Sequence, residues 1–190
     1  MISETELREK SRAHKRLMNK ALHYLGRYQA STAQLRRILD RFAKRKIESD
    51  DPSAIQKAIE DVISLCADYG YIDDSALAAS KTRASVAKGQ SERQLAQKLR
   101  MMGISNDTAE DALIQRKEGW QDAELAAIIR KAAKKKLGPF SPPVEFADKQ
   151  KQMAKLARAG FTLDMIQKLF AFASQEEAEN ALYDAENRSE

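Results

Sequence analysis

The chain has 190 residues, 43% of them hydrophobic and 32% charged, a globular balance sufficient for one or two ordinary domains. Only 6% are aromatic, and abundant Ala, Leu and Ile favour packed helices over a β-sandwich or barrel. The formal charge of +5 permits an acidic partner. No apolar run approaches the ~18 residues of a membrane helix, and an N-terminus with Glu4, Glu6 and Glu9 lacks the form of a signal peptide, so a cytoplasmic location without membrane contact is expected.

A charged helix is predicted over 5–25, with a short apolar seam of Leu17, Ala21, Leu22 and Leu25 that leaves its first dozen residues to project or fray. His14 and His23 are the only histidines and have no companions at metal spacing. After Gly26, Ser31-Thr32-Ala33-Gln34 forms a capping box. The helix it opens buries Leu35, Ile38, Leu39 and Phe42 and turns Arg37, Arg41 and Lys44 outward. The pattern breaks from Lys46 to Asp51, and Pro52 then opens a helix to about Tyr69 through Ile55, Ile59, Ile63 and Cys66. As the only cysteine, Cys66 excludes an intramolecular disulfide and reads as a small buried hydrophobe.

Gly70 suits a left-handed helix end, and Asp73 or Asp74 a cap for a helix over 75–87 that offers Leu77, Ser80, Ala84 and Ala87 on one side. Gly89 stops it. Ser91 with Gln94 opens a third helix carrying Leu95, Leu99 and Met102, which Gly103 ends. A short helix capped by Ser105, Asn106 or Asp107 runs to about Arg116, and a longer one over 122–137 ends at Gly138-Pro139. The segment Phe140-Ser141-Pro142-Pro143 is the most loop-like stretch. Helices over 144–159, 162–170 and 174–187 complete the chain, the last reading as an acidic tail.

The chain repeats itself. Ser31, Gln34, Leu35 and Leu39 recur as Ser91, Gln94, Leu95 and Leu99, while Leu99, Gly103, Ser105 and Asp107 recur as Leu156, Gly160, Thr162 and Asp164. The expected architecture is all-α: three tandem three-helix bundles in an elongated, curved row. The N-terminal helix and the start of the first repeat occupy 1–50, with repeats over 17–69, 70–118 and 119–173 and an acidic C-terminal helix or tail over 174–190.

The segment Gly70-Tyr71-Ile72-Asp73-Asp74-Ser75-Ala76-Leu77-Ala78, followed by Lys88-Gly89, Leu95, Leu99-Arg100 and Gly103-Ile104, resembles the central repeat of the RecX family of RecA regulators. Arg27 to Phe42 resembles the first repeat. Lys136-Leu137-Gly138-Pro139-Phe140 with Leu156-Ala157-Arg158-Ala159-Gly160-Phe161 resembles the third, notably in the alphaproteobacterial branch. The resemblance covers roughly residues 17–172 and departs at Ala76-Leu77-Ala78, where the family usually has a charged residue and an aromatic.

No enzyme motif is present: neither a phosphate-binding loop, nor a paired-glycine dinucleotide fingerprint, nor His-Glu-x-x-His. No catalytic residue, cofactor or metal ligand is therefore assigned. Asp73-Asp74 reads as a helix cap, Lys134-Lys135-Lys136 as a solvated helix end and Trp120 as packing. What recurs is a basic surface. Arg36, Arg37, Arg41, Lys44 and Arg45 lie in the first repeat, Arg83, Lys88, Arg93 and Arg100 in the second, and Lys151, Lys155 and Arg158 in the third. Weak linked contacts of this kind suit a multivalent acidic partner.

The resemblance implies that partner: a monomeric chain that binds RecA and its filament on DNA and restrains strand exchange, ATP hydrolysis and co-protease activity. It would thereby modulate DNA repair and the SOS response. The alternative is a helical protein acting directly on nucleic acid, because three-helix units resemble helix-turn-helix modules. The scarcity of exposed aromatics argues against base stacking, although weak phosphate contacts remain open.

Overall fold

The structure, a computed structural model, describes residues 4–47, 51–120, 122–143 and 145–187, with side-chain surroundings from Arg12 onward. Residues 48–50 of the expected break and 188–190 of the expected tail lie outside these. Among the described residues every regular element is helical: α1 Glu4–Leu25, α2 Thr32–Lys46, α3 Pro52–Asp68, α4 Asp74–Ala87, α5 Glu92–Met102, α6 Asn106–Glu118, α7 Ala123–Lys135, a 3₁₀ turn Gly138–Phe140, α8 Phe146–Arg158, α9 Leu163–Ala171 and α10 Gln175–Glu186.

Short polar side chains start most of these helices by accepting otherwise orphaned amides. Ser31 and Gln34 form the complete capping box, Asp51 accepts from Ser53 and Ala54 ahead of Pro52, and Asp122 accepts from Leu125. At Ser91 only half the box forms, Gln94 N donating to the hydroxyl at 3.2 Å. Gly70, at φ +70°, ends α3 in a Schellman turn in which Gly70 N donates to Ala67 O and Tyr71 N to Cys66 O. The end of α7 differs from expectation. Lys136 itself takes the left-handed conformation, φ 52°, and Leu137 N reaches back to Ala132 O, so the helix stops before Gly138-Pro139.

The chain divides into two compact units, one holding the residues up to Leu77 with Met102–Ile104, the other Ala78–Met101 and the residues from Ser105. In the first, α1, α2 and α3 bury Leu17, Ala21, Leu35, Leu39, Ile59, Val62, Ile63 and Cys66 around one core. Phe42 and Ile55 pack against it half-buried, whereas Leu22 of the expected seam is exposed. Burial also pushes the Cys66 thiol upward from its ordinary pKa, consistent with a packed rather than reactive cysteine.

In the second unit α7 is the central helix, buried at every position from Leu125 to Ile129. Around it lie Leu156, Phe161, Ile166, Leu169 and Ala185, with Trp120 half-buried on the rim. Each such Leu, Ile or Phe withdrawn from water contributes roughly 1.5–3 kcal/mol. Two expectations are corrected here. The C-terminal helix is not merely an acidic tail, since Ala178 and Ala185 are buried and Ala185 O accepts from Asp122 N. The face of α4 is also rotated: Leu77 is buried as expected, but Ala78, Thr82, Ser85 and Val86 are buried too, while Ser80 and Ala84 are intermediate and Ala87 is exposed. Thr82 and Ser85 tolerate burial because their hydroxyls donate to Ala78 O and Thr82 O of their own helix.

Candidate partner-binding surface

On the first unit the candidate surface is the outer side of α2. The helix buries Leu35, Leu39 and Ala43, and this leaves Arg37, Arg41, Lys44 and Arg45 exposed. Arg41 Nε donates to Arg37 O one turn back at 3.3 Å, which directs that side chain along the helix. Arg36 is half-buried, and its Nη2 donates to Glu60 Oε2 at 2.6 Å, so it ties α2 to α3 more than it faces outward. A partly exposed pair of this kind is worth at most about 1 kcal/mol.

On the second unit Arg83, Lys88, Arg93, Arg100, Lys151, Lys155 and Arg158 are all exposed. Lys151 donates to Asp148 Oδ1 at 2.9 Å and Arg158 Nε to Ala154 O at 3.2 Å. Lys88 has company that sequence reasoning missed. The Lys98 ammonium has a lowered pKa, first because it is partly buried and then because Lys81 and Lys88 repel it. The two-turn spacing of Lys81 and Lys88 was the available signal for two of these lysines, but nothing local places Lys98 beside them. Next to Lys88 runs a groove of about 350 Å³ lined by Ala87, Ile129, Arg130, Ala133, Lys134, Phe140, Glu179 and Leu182.

The helices that present these cations are held by a device that occurs twice. In the first unit Ser31 both caps α2, accepting from Gln34 N at 3.1 Å, and donates its hydroxyl to Met102 O at the end of α5. In the second, Ser91 accepts from Gln94 N and donates to Ala159 O at the end of α8, at 2.7 Å. The next amide is also taken by a carboxylate from elsewhere: Thr32 N donates to Asp74 Oδ1 at 2.8 Å, and Glu92 N to Glu124 Oε2 at 3.0 Å. Glycine makes the approach possible. A Cβ at Gly103 would lie 2.5 Å from Ala33 Cβ, and one at Gly160 would lie 2.7 Å from Ser91 Oγ. Arg37 thus crosses the Gly103 turn and Arg93 the Gly160 turn.

This device also resolves Asp73-Asp74. Asp73 caps its own helix through Ala76 N at 2.8 Å, while Asp74 serves α2. No group of His, Cys, Asp and Glu among the described residues is arranged to hold a metal. The second copy adds a buried ion pair. Arg116, 0% exposed, donates through Nη2 to Glu124 Oε2 at 2.9 Å, Gln90 O at 3.0 Å and Ala123 O at 3.4 Å.

Comparison with known proteins assigns the family. Residues 73–113, from the cap of α4 into α6, match the model of the RecX second three-helix domain, and residues 122–170 that of the RecX third three-helix domain. The regulatory protein RecX of Myxococcus xanthus (strain DK1622) is 32% identical over 157 residues, covering 80% of this chain and 83% of that protein. The chain belongs to the RecX family. Regulatory protein RecX of Agrobacterium fabrum (strain C58 / ATCC 33970) is also 32% identical, over 169 residues and 88% of each chain. Two RecX crystal structures share the fold. That from Lactobacillus salivarius has a TM-score of 0.60 at 22% identity over 84% of this chain and 95% of its own. The other, of regulatory protein RecX, has 0.64 at 19% over 89% and 78%. Both curated relatives are regulatory proteins by name, and no helix among the described residues is long and apolar enough to cross a membrane.

Proposed function

We propose that this RecX-family chain is a monomeric, cytoplasmic, non-catalytic regulator that binds RecA and the RecA filament on DNA. In binding, it restrains strand exchange, ATP hydrolysis and co-protease activity, and so modulates recombination, DNA repair and the SOS response. The observation that carries the reading is the recurrence of exposed cations on helices positioned by the same serine-and-glycine device. Arg37, Arg41, Lys44 and Arg45 stand on α2, and Arg93 and Arg158 flank the Gly160 turn. Separate cationic patches on one chain give avidity that no single patch has. They also steer association with an acidic surface.

The test is a double variant, Arg41→Glu with Lys44→Glu, compared with the parent for binding to RecA filaments on single-stranded DNA and for inhibition of RecA ATPase. Both residues are exposed, so stability should change by no more than about 0.5 kcal/mol each. Filament affinity should fall roughly tenfold as attraction turns to repulsion. Unchanged affinity and inhibition would remove this surface from the interface. Direct nucleic-acid contact is a second reading, favoured by Lys98, whose partly buried charge Lys81 and Lys88 repel and a phosphate would stabilise. Affinity for free DNA that drops steeply with salt, and drops further in Lys88→Glu, supports that reading.

A further inference from the structure

Five tyrosines occur in the chain, and four of them stand in two pairs at the ends of α1 and α3 in the first unit. Tyr24 and Tyr28 follow one another across the end of α1, with ring centroids 5.1 Å apart. Tyr69 and Tyr71 flank Gly70 at the end of α3, with centroids 6.1 Å apart. The 2.8 Å bond from Thr32 N to Asp74 Oδ1 fastens the turn that follows Tyr28 to the turn that follows Tyr71, so the two pairs stand on either side of one junction of the first unit. Three of the rings are largely solvent-facing: Tyr28 is 58% exposed, Tyr69 70% and Tyr71 54%. The expectation of few exposed aromatics is thereby corrected. Low aromatic content does not hide the rings that exist.

These rings stand on turns whose backbone is already satisfied. Tyr28 N donates to Tyr24 O at 3.0 Å, Tyr71 N donates to Cys66 O at 2.8 Å, and Ile72 beneath the second pair is buried. Large rings on rigid turns lose little entropy on binding, and tyrosine is enriched where interfaces concentrate their energy. The charge around them selects the partner. Asp68 and Asp73 are exposed beside the Tyr69 and Tyr71 pair, against one exposed cation, Arg27, beside the other. Phosphates are disfavoured there, whereas a guanidinium or ammonium gains from both the carboxylates and the ring faces.

We propose that this tyrosine-rich junction is a protein-docking surface that receives an apolar segment of the partner bearing an arginine or lysine. The inference rests on the reading that the partner is the RecA filament, and it assigns a second contact separate in chemistry from the basic side of α2. One surface offers cations to acidic groups. The other offers rings and carboxylates to a basic group.

The experiment uses the full chain, RecA filaments on single-stranded DNA and naked single-stranded DNA as probes. Tyr69→Ser with Tyr71→Ser should lower filament affinity tenfold or more, as expected for interface anchors, with melting temperature and naked-DNA affinity unchanged. Tyr69→Phe with Tyr71→Phe should retain most of the affinity, because the ring faces remain. Should the serine variant melt early, Asp68→Lys, on an exposed helix position, should still weaken filament binding while leaving naked-DNA binding equal or stronger. Unchanged filament affinity in the serine variant, with the Arg41→Glu and Lys44→Glu chain impaired, overturns the tyrosine surface and leaves the partner standing. Loss of naked-DNA affinity in parallel would mean that bases stack on the rings, which also overturns it. A parent chain that does not bind the filament overturns the partner, and the proposed occupant with it.

Discussion

Arg116 shows how much one residue can conceal from sequence reasoning. Its place in α6 shares a face with Ala109 and Ala112, both buried, and an arginine there reads as solvent-exposed because buried arginines are rare. It is instead enclosed, with Nε and Nη1 lacking a hydrogen-bond partner among the described residues. Burial lowers the Arg116 pKa and raises that of Glu124, in each case against the pull of the other charge. Desolvation therefore outweighs pairing, and the pair holds geometry rather than supplying net stability. Arg116→Ala strands Glu124 and two carbonyls and should cost about 3–5 kcal/mol, whereas Arg116→Met with Glu124→Gln should cost far less. Chemical denaturation of the two variants checks this, and equal losses would contradict it. The pH dependence has a definite sign. A carboxyl raised in the folded state contributes stability fully present below its unfolded value, about 4.3, and lost as pH rises through the folded value. The advantage of the parent over Glu124→Gln should accordingly shrink as pH increases from about 4 to 7.

Among the elements, those with strong contrast were legible and those without it were not. Leu35 and Leu39, Ile59 and Ile63, Leu95 and Leu99, and Leu125, Ile128 and Ile129 all face inward as their spacing requires. Helix α4 is mostly Ala, Ser and Thr, so apart from Leu77 and Val86 little apolar contrast fixes its rotation. The serines at 31 and 91 were legible as caps, since a cap is local. Their second bonds, to Met102 O and Ala159 O, were not, because the acceptors lie far along the chain. That second role predicts a graded effect within the second unit. Among the described residues the Thr162 hydroxyl accepts from Met165 N alone, at an exposed helix start, so Thr162→Ala should cost about 1 kcal/mol. Ser91→Ala loses the same kind of cap and also leaves a buried carbonyl without its donor, and should cost about 2 kcal/mol or more. Equal midpoints of urea unfolding for the two variants would show that the bond to Ala159 contributes nothing.

For the molecule as a whole, repetition in the sequence and compactness in space answer different questions. Recurring caps and glycines mark where a pattern restarts, whereas side-chain contacts decide what coheres, and the line between the two units falls inside α4 after Leu77. The consequence is sharpest for a chain ended at Phe140. None of the residues that make the first core lies beyond Ile72, and Met102–Ile104, which belong to that unit, are retained. The second core fares differently: Leu156, Phe161, Ile166, Leu169 and Ala185, the residues around α7, are removed together. Leu125, Ile128 and Ile129 would then return to water at roughly 1.5–3 kcal/mol each, and three such losses rival the whole stability of a domain, about 5–15 kcal/mol. Helix α7 should unfold although its own sequence is intact, since an isolated helix of 13 residues is marginal without tertiary packing. Hydrogen exchange on the shortened chain should show protection in α2 and α3 comparable to the full chain and near-unfolded exchange throughout α7. Retained protection in α7 would mean that α4 to α6 suffice to bury it, and that the helices after Pro143 add binding surface without supporting the core.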